Sequence, residues 1–196
     1  MLFLIMPEND LKNIKEIFEK AKNGNKKAFS EIYEAYFKPL YCYVRLKIGD
    51  KAESDDLVQD IFISALNYKE DSDLDLSSLS PTVFFYSVAR LSISDWKRKR
   101  RRVKSSLLED GENYYEIKTD RNEDDLSREE FDNLSKALEE LSDEEQDAVI
   151  FKFISNLSNE DVRFLLNVSA RSARRLETQG LISIRDILKQ QYEQQS

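Results

Sequence analysis

Histidine is absent from this chain of 196 residues. Its absence excludes histidine-based acid–base relays, serine or cysteine nucleophiles activated by histidine, and most ligand sets for zinc or non-haem iron. The single cysteine, Cys42, lies in an apolar stretch and excludes an internal disulfide, which is typical of a reducing cytoplasm. We therefore expect a cytoplasmic protein that is not an enzyme and that binds no cofactor and no metal.

Glycine and proline are scarce, with four and three copies respectively. This composition, with 40% hydrophobic and 35% charged residues, favours a mostly helical protein over a turn-rich sandwich or barrel. The apolar run Met1 to Met6 is too short for a secretory core, and no segment approaches the roughly 20 apolar residues that span a bilayer. The sequence predicts an all-α protein without membrane insertion.

The net charge of −8 conceals an uneven distribution of charge along the chain. Residues 97–104, KRKRRRVK, carry seven positive charges and no negative one, whereas residues 105–130 carry ten acids against three bases. A local basic patch decides whether phosphates are bound, whatever the mean charge of the chain. The sequence predicts a nucleic-acid-binding segment followed directly by an acidic one.

Apolar residues recur at helical spacing in the first half of the chain and predict amphipathic helices. The first three are expected to end at Asn23-Gly24-Asn25, Gly49 and Leu66, with a kink at Pro39 in the second. Residues 67–81 lose the periodicity, and Pro81 suits the first turn of a fourth helix, from about Thr82 to Arg101. Together these helices predict a small N-terminal bundle.

An acidic segment separates this bundle from the rest of the chain. Residues 105–127 contain Gly111 and show no sustained apolar period, which predicts a flexible linker. We therefore expect two small helical domains, at residues 8–104 and 128–192, joined by this linker.

A helix-turn-helix is indicated near the C-terminus by two short helices with a three-residue turn between them. Ser142 to Glu145 and Ser158 to Asp161 are capping signatures that open helices. Asn167 suits the left-handed position of the turn, and Ser169 is expected to cap the last helix. Many helical hairpins share this pattern, so DNA binding and simple helix packing both remain open from these residues alone.

Four sequence blocks carry the patterns described so far. The blocks are Phe29 to Tyr41, Asp55 to Phe62, Phe84 to Arg90 with Asp95-Trp96 and the arginine run behind it, and Leu141 to Leu176. In this order, from about Ala28 to Leu188, they resemble the extracytoplasmic-function (ECF) sigma factors of the sigma-70 family, and the second block is close to the family pattern D-L-V-Q-D/E-x-F, its most specific motif. The resemblance implies a bacterial transcription initiation factor that binds core RNA polymerase and directs it to specific promoters by minus-ten and minus-thirty-five recognition and promoter melting.

The second block carries the expected polymerase contacts. Asp56, Gln59 and Asp60 are three and four residues apart and share one helix face, while Leu57 points toward the other side. The resemblance implies that Asp56, Leu57, Gln59 and Asp60 bind the coiled-coil clamp helices of the largest polymerase subunit. From this block alone, a solvated helix face is the simpler interpretation.

The third block carries the expected minus-ten contacts, and the preceding loop at residues 67–81 is expected to hold a flipped base. Many relatives carry Asn at the position of Leu91, and Trp96 is interpreted as a core residue. By resemblance, the residues that face the minus-ten element are Ser87, Arg90, Ser94, Lys97, Arg98 and Arg101.

The last helix carries the expected minus-thirty-five contacts, because arginine can make bidentate hydrogen bonds to guanine in the major groove. Relatives often have Gly-Thr-Val-Lys where this chain has Ala170 to Ala173, and Gly180 interrupts the helix at a cost of about 1 kcal/mol. The residues implied for this contact are Ser169, Arg171, Arg174 and Arg175.

Two other classes of protein are alternatives to a sigma factor. A stand-alone helix-turn-helix regulator binds duplex DNA as a dimer without polymerase, and a helical adaptor shows no salt-dependent DNA binding. The stand-alone regulator explains neither the second block nor the basic helix of the first half of the chain. The expected partners are core RNA polymerase and promoter DNA, and an anti-sigma factor is a further candidate partner.

Overall fold

The computed structural model describes residues 16–68, 79–109 and 128–195. Every regular element within those ranges is a helix, which confirms the predicted all-α fold. The chain divides into two compact units, one within residues 8–120 and one within residues 121–196. The apolar run Met1 to Met6, residues 69–78 of the predicted loop and residues 110–127 of the predicted linker lie outside the described ranges.

The first unit contains four described helices, and polar caps set their boundaries. Asn25 accepts hydrogen bonds from the backbone N–H groups of Lys27 and Ala28, each at 3.1 Å, directly after the turn predicted at residues 23–25. Gly49, at φ 76°, ends the second helix, which is continuous through Pro39. The helices are α1 (residues 16–22), α2 (Lys26–Ile48), α3 (Lys51–Leu66) and α4 (Pro81–Glu109).

Helix α4 begins as predicted and ends later than predicted. Pro81 occupies its first position, and the Ser80 hydroxyl accepts a hydrogen bond from the Val83 N–H at 3.3 Å. The helix runs to Glu109, past the expected end at Arg101 and past the boundary expected at Lys104. No glycine or proline follows the basic run until Gly111, so the sequence contains no residue that would stop the helix earlier.

One buried ring, that of Phe85, joins the four helices of the first unit. Its side chain is fully buried, and its centroid lies 4.7 Å from that of Tyr36 on α2. It also lies 5.3 Å from Phe62 on α3 and 5.4 Å from Phe18 on α1. These spacings fall in the range that aromatic pairs prefer, so each helix is held against the same centre.

The second unit contains three helices of at most 12 residues, one stretch of π-helix and one long C-terminal helix of 26 residues. The predicted capping box is present, because the Glu145 N–H donates to the Ser142 hydroxyl at 3.3 Å and the Ser142 N–H donates to Glu145 Oε2 at 3.1 Å. The elements are α5 (Arg128–Glu139), α6 (Asp143–Val149) continued by the π-helix Ile150–Ile154, α7 (Asn159–Leu166) and α8 (Ala170–Gln195).

Gly180 is required by the packing of α8 against α6, which corrects the expectation that it only weakens the helix. A Cβ atom at this position would lie 2.6 Å from Val149 Cγ2 and 3.2 Å from Leu141 Cδ2. Both neighbours are buried and have little room to move. The missing side chain therefore allows the two helices to approach each other closely.

We expect Gly180→Ala to destabilise the second unit by about 1 kcal/mol, because overpacking costs about 2 kcal/mol, the middle of its usual range, and the gain in helix propensity returns about 1 kcal/mol. Urea unfolding measures the difference. Thr178→Ala, at an exposed position of the same helix, is the control and should change stability little. Val149→Ala should reduce the effect of Gly180→Ala, and a Gly180→Ala variant as stable as the parent would contradict the packing argument.

Candidate partner and nucleic-acid interfaces

The second sequence block forms part of α3, with its polar residues on the outside. Asp56, Gln59 and Asp60 are exposed along one face. Leu57, predicted as a contact together with them, is only 9% exposed and packs in the core. The predicted polymerase-binding set therefore divides into three surface residues and one residue that supports the helix from inside.

Ile63 belongs to the same face and was missed by the sequence reasoning. It lies one turn beyond Asp60 and two turns beyond Asp56, and it is 57% exposed. The available signal was its spacing of seven residues from Asp56, which placed an apolar residue on a polar face. It gives this surface one apolar contact beside the carboxylates.

A row of aromatic side chains along α2 fixes the orientation of α3. The ring centroids of Tyr33 and Phe37 are 4.8 Å apart, and those of Phe37 and Tyr41 are 5.8 Å apart. Tyr33 also lies 4.9 Å from Phe62 on α3. Burial raises the pKa of Tyr41, the Asp55 carboxylate raises this pKa further, and Arg45 partly opposes the shift. Only two residues separate α2 from α3, and Tyr33 in the first half of α2 contacts Phe62 near the end of α3, so the two helices run antiparallel.

The predicted minus-ten residues share one side of α4. The opposite side carries Phe85, Ala89 and Ile93, which are all buried. Leu91, where many relatives carry Asn, is 55% exposed beside this polar side. Ser94, Arg98 and Arg101 are exposed, and Ser87, Arg90 and Lys97 are half-buried.

Trp96 was expected in the core, and it is instead half-buried in a polar contact with α3. Its indole N–H donates a hydrogen bond to Glu53 Oε2. The other carboxylate oxygen of Glu53 accepts a hydrogen bond from Arg100 Nη1 at 3.2 Å. Local sequence patterns could not predict this cluster, because Glu53 lies 43 and 47 residues before its two partners.

The helix-turn-helix forms between α7 and α8 with the caps that the sequence predicted. The Ser158 hydroxyl accepts a hydrogen bond from the Asp161 N–H at 3.1 Å. Asn167 ends α7 in the left-handed conformation, with φ 55° and ψ 47°. The Ser169 hydroxyl then accepts from the Ser172 N–H at 3.1 Å and caps the start of α8. Polar caps on both helices therefore set the length of the turn.

The residues predicted for minus-thirty-five recognition lie together at the start of α8. Ala173 and Leu176 on the same turns are buried, so the opposite side of the helix faces outward. The partial positive charge of a helix N-terminus adds to that of the arginines and favours an anionic partner. The exposed residues of this set are Ser169, Arg171, Arg174 and Arg175.

Three properties of the described residues concern metal binding, membrane insertion and thiol reactivity. Among the described residues, no group of three or more His, Cys, Asp and Glu side chains could hold a metal ion. Within the same ranges, no helix is long and apolar enough to cross a membrane. Burial raises the pKa of the Cys42 thiol, and Lys38 opposes this shift only in part. A raised pKa favours the protonated thiol, which is the less reactive form.

Two helical units, an outward row of acids with an amide, and a helix-turn-helix with exposed arginines define an all-helical class of transcription factor. Residues 11–193 match the family model described as ECF sigma factor. The chain therefore belongs to the ECF sigma factors, a family that directs RNA polymerase to promoters.

Two curated relatives belong to the same family. The chain is 25% identical over 154 residues to the ECF RNA polymerase sigma factor BldN of Streptomyces coelicolor, covering 77% of this chain and 56% of BldN. It is 23% identical over 163 residues to the ECF RNA polymerase sigma factor SigX of Bacillus subtilis, covering 80% of this chain and 81% of SigX. The chain thus spans little more than half the length of BldN and most of SigX.

Two solved structures share the fold. CnrH in complex with the cytosolic domain of CnrY is similar with a TM-score of 0.67 and 16% identity, over 89% of this chain and 96% of CnrH. The sigma factor RpoE in complex with the anti-sigma factor NepR, from Bartonella quintana, gives 0.62 and 20% identity, over 83% of this chain and 98% of RpoE. At these identities the similarity supports the all-α fold.

Substitution of Ser169 should separate its capping role from a role in DNA binding. Ser169→Ala removes the cap and should cost about 1 kcal/mol of stability, whereas Ser169→Asp can accept the same hydrogen bond and should retain stability. If the start of α8 contacts DNA as predicted, the negative charge of Ser169→Asp should still weaken DNA binding. Thermal unfolding and DNA binding are measured on both variants. Equal stability of the alanine variant and the parent would show that the hydroxyl is not a cap.

Proposed function

We propose that this chain binds core RNA polymerase and directs it to specific promoters by minus-ten and minus-thirty-five recognition and promoter melting. The observation that carries the proposal is the D-L-V-Q motif of the family, folded as a helix with Asp56, Gln59 and Asp60 exposed. A stand-alone DNA-binding regulator has no use for this acidic face. The chain acts as an initiation factor in the cytoplasm and has no catalytic chemistry of its own.

The polymerase contact is made by the outer face of α3. Carboxylates form strong charge-assisted hydrogen bonds with arginine, and the Gln59 amide can both donate to and accept from backbone groups. The partner is the pair of coiled-coil clamp helices in the largest polymerase subunit. Ile63 adds an apolar contact at the end of the same face, and Leu57 holds the helix in place from the core.

The minus-ten element is bound by the polar side of α4. Unstacking a base costs a few kcal/mol, which basic side chains along the backbone and a pocket for the flipped base can offset. Arg98 and Arg101 supply exposed positive charge. Ser87, Arg90, Ser94 and Lys97 continue the surface toward the loop at residues 67–81, which holds the flipped base. Leu91 offers an apolar contact and no hydrogen bond to a base.

The minus-thirty-five element is bound by the first turns of α8. A recognition helix enters the major groove with its N-terminal residues toward the base edges. Arg171, Arg174 and Arg175 are exposed at this end of the helix. Each bidentate contact between arginine and guanine contributes about 1–3 kcal/mol of discrimination. Ser169 stabilises the helix start and contacts the phosphate backbone.

The two DNA-binding surfaces act on one promoter from two domains, the first including α4 to Glu109 and the second beginning with α5 at Arg128, with the remaining residues 110–127 of the expected acidic linker between them. An anti-sigma factor regulates the chain by covering these surfaces. RpoE of Bartonella quintana, which has a similar fold, is seen in complex with the anti-sigma factor NepR. Such a partner keeps the chain away from polymerase until an inducing signal releases it.

Loss of a single α3 contact should weaken polymerase binding without unfolding the chain. Gln59→Ala and Asp60→Asn should each weaken binding to core polymerase about tenfold or more, because hydrogen bonds to charged groups contribute about 1.5–3 kcal/mol. Copurification and a titration with core enzyme measure the effect. Glu31→Gln, an exposed carboxylate on α2, is the matched control and should bind normally. Normal binding of both α3 variants would contradict this interface.

Loss of an α8 contact should reduce promoter-specific transcription while polymerase binding stays intact. Arg174→Ala should reduce start-site-specific transcripts about 5-fold to 150-fold, the equivalent of 1–3 kcal/mol. Run-off transcription with core polymerase on genomic fragments gives the measurement. Arg185→Ala removes an exposed arginine further along the same helix, which already pairs with Asp186 at 2.7 Å, and is the control. If the purified chain directs polymerase to no defined start site, the proposed function is wrong.

A further inference from the structure

The Glu53 carboxylate is held in place at the start of α3 and contacts the C-terminal half of α4. Its backbone N–H donates to Asp50 Oδ1 at 2.9 Å, which anchors the first turn of the helix. One carboxylate oxygen accepts from the Trp96 indole, and the other accepts from Arg100 at 3.2 Å. Both oxygens are therefore engaged with α4.

Arg100 is held by a second contact in the same cluster. Its guanidinium carbon lies 5.0 Å from the centroid of the Trp96 ring, within the range of a cation–π interaction. The side chain is 33% exposed, compared with 61% for Arg98, whose partner Asp95 is 58% exposed. An exposed pair such as Arg98 with Asp95 exchanges readily with a phosphate, whereas Arg100 must leave both the Glu53 carboxylate, which is 43% exposed, and the Trp96 ring.

Helical spacing places Arg100 on the inner side of α4. Ala89 and Ile93 are buried, and Trp96 and Arg100 continue the same side of the helix toward its C-terminal end. Arg101, the next residue, is exposed on the polar side. Two neighbouring arginines of one basic run therefore face different surroundings.

We propose that Glu53 is a positioning residue that neutralises Arg100 and withholds it from DNA. The phosphate contacts of the basic run then come from the exposed side, Arg98 and Arg101 included, and exclude Arg100. This inference rests on the proposed binding of promoter DNA by α4. Its consequence is specificity, because each additional phosphate contact strengthens sequence-independent binding everywhere on the genome and not only at promoters.

The cluster also connects the two proposed surfaces of the first unit. Glu53 lies on the helix that carries Asp56 and Gln59, and its two partners lie on the helix that carries the basic run. Glu53 therefore adds a polar contact between the helix proposed to bind polymerase and the helix proposed to bind DNA, beside the aromatic contact of Phe62 with Phe85.

The test is the salt dependence of duplex DNA binding by core polymerase loaded with this chain. Affinity falls as salt rises, and each phosphate contact adds about 0.9 to the magnitude of the negative slope of log affinity against log salt, or about 3.5-fold in affinity between roughly 50 and 200 mM salt. This magnitude, called the slope, is compared between the variants. Arg101→Gln should lower the slope by about 0.9, and Arg100→Gln should leave it unchanged. Glu53→Gln keeps an acceptor for Trp96 but removes the charge, so it should raise the slope by about 0.9. Adding Arg100→Gln to that variant should restore the parental slope.

These outcomes separate the inference from the function on which it rests. If Arg100→Gln lowers the slope as much as Arg101→Gln does, Arg100 contacts DNA and the role given to Glu53 is wrong, while the proposed function stands. If Arg101→Gln leaves the slope unchanged, the proposed DNA contact of α4 fails and the inference fails with it. A carboxylate with a purely structural role would change thermal stability in Glu53→Gln and leave the slope as it was.

A second measurement reports on the cluster without DNA. Trp96 is the single tryptophan of the chain, so its fluorescence reads this site alone. Glu53→Ala removes the acceptor of the indole N–H and should shift the emission maximum, whereas Glu53→Gln should shift it less. Identical spectra for the parent and the alanine variant would overturn the inference.

Discussion

The packing of the first unit depends on Phe85, whose ring contacts aromatic side chains from three other helices. Because Phe62 must face this ring, the opposite face of α3 is directed outward, and the acids and amide of the sequence motif lie on that face. Because Phe85 itself must face inward, the polar side of α4 is also directed outward. The burial of these aromatic side chains therefore sets the direction of both functional surfaces. A substitution that repacks the core would rotate α3 and α4 and reorient both surfaces.

The second unit achieves its geometry by other means. Polar caps at Ser142, Ser158 and Ser169 accept hydrogen bonds from N–H groups in the first turns of α6, α7 and α8, which have no partner inside the helix. Asn167 reverses the chain between α7 and α8 within three residues, and Gly180 allows α8 to pack closely on α6. The arginines at the start of α8 are thus presented by a rigid turn on one side and a close helix contact on the other.

Local features of this structure could be predicted from the sequence, and long-range ones could not. Helix starts at Ser142 and Ser158 and the left-handed Asn167 follow from interactions within four residues, so the sequence was sufficient. Periodicity likewise separated the polar rows of α3 and α4 from their buried sides. The contact between Glu53 and Arg100 joins residues 47 positions apart, and the neighbour of Gly180 lies on another helix, so no local pattern could reveal either.

The length of α4 has a mechanical consequence. At 1.5 Å per residue, the helix carries Arg101 about 24 Å beyond the pivot at Phe85. A rotation of α4 by about 5° about Phe85 would displace Arg101 by about 2 Å, which is enough to break a hydrogen bond to a phosphate. The hydrogen bond from Arg100 to the Glu53 carboxylate attaches α4 to α3 one residue before Arg101 and so restricts this rotation.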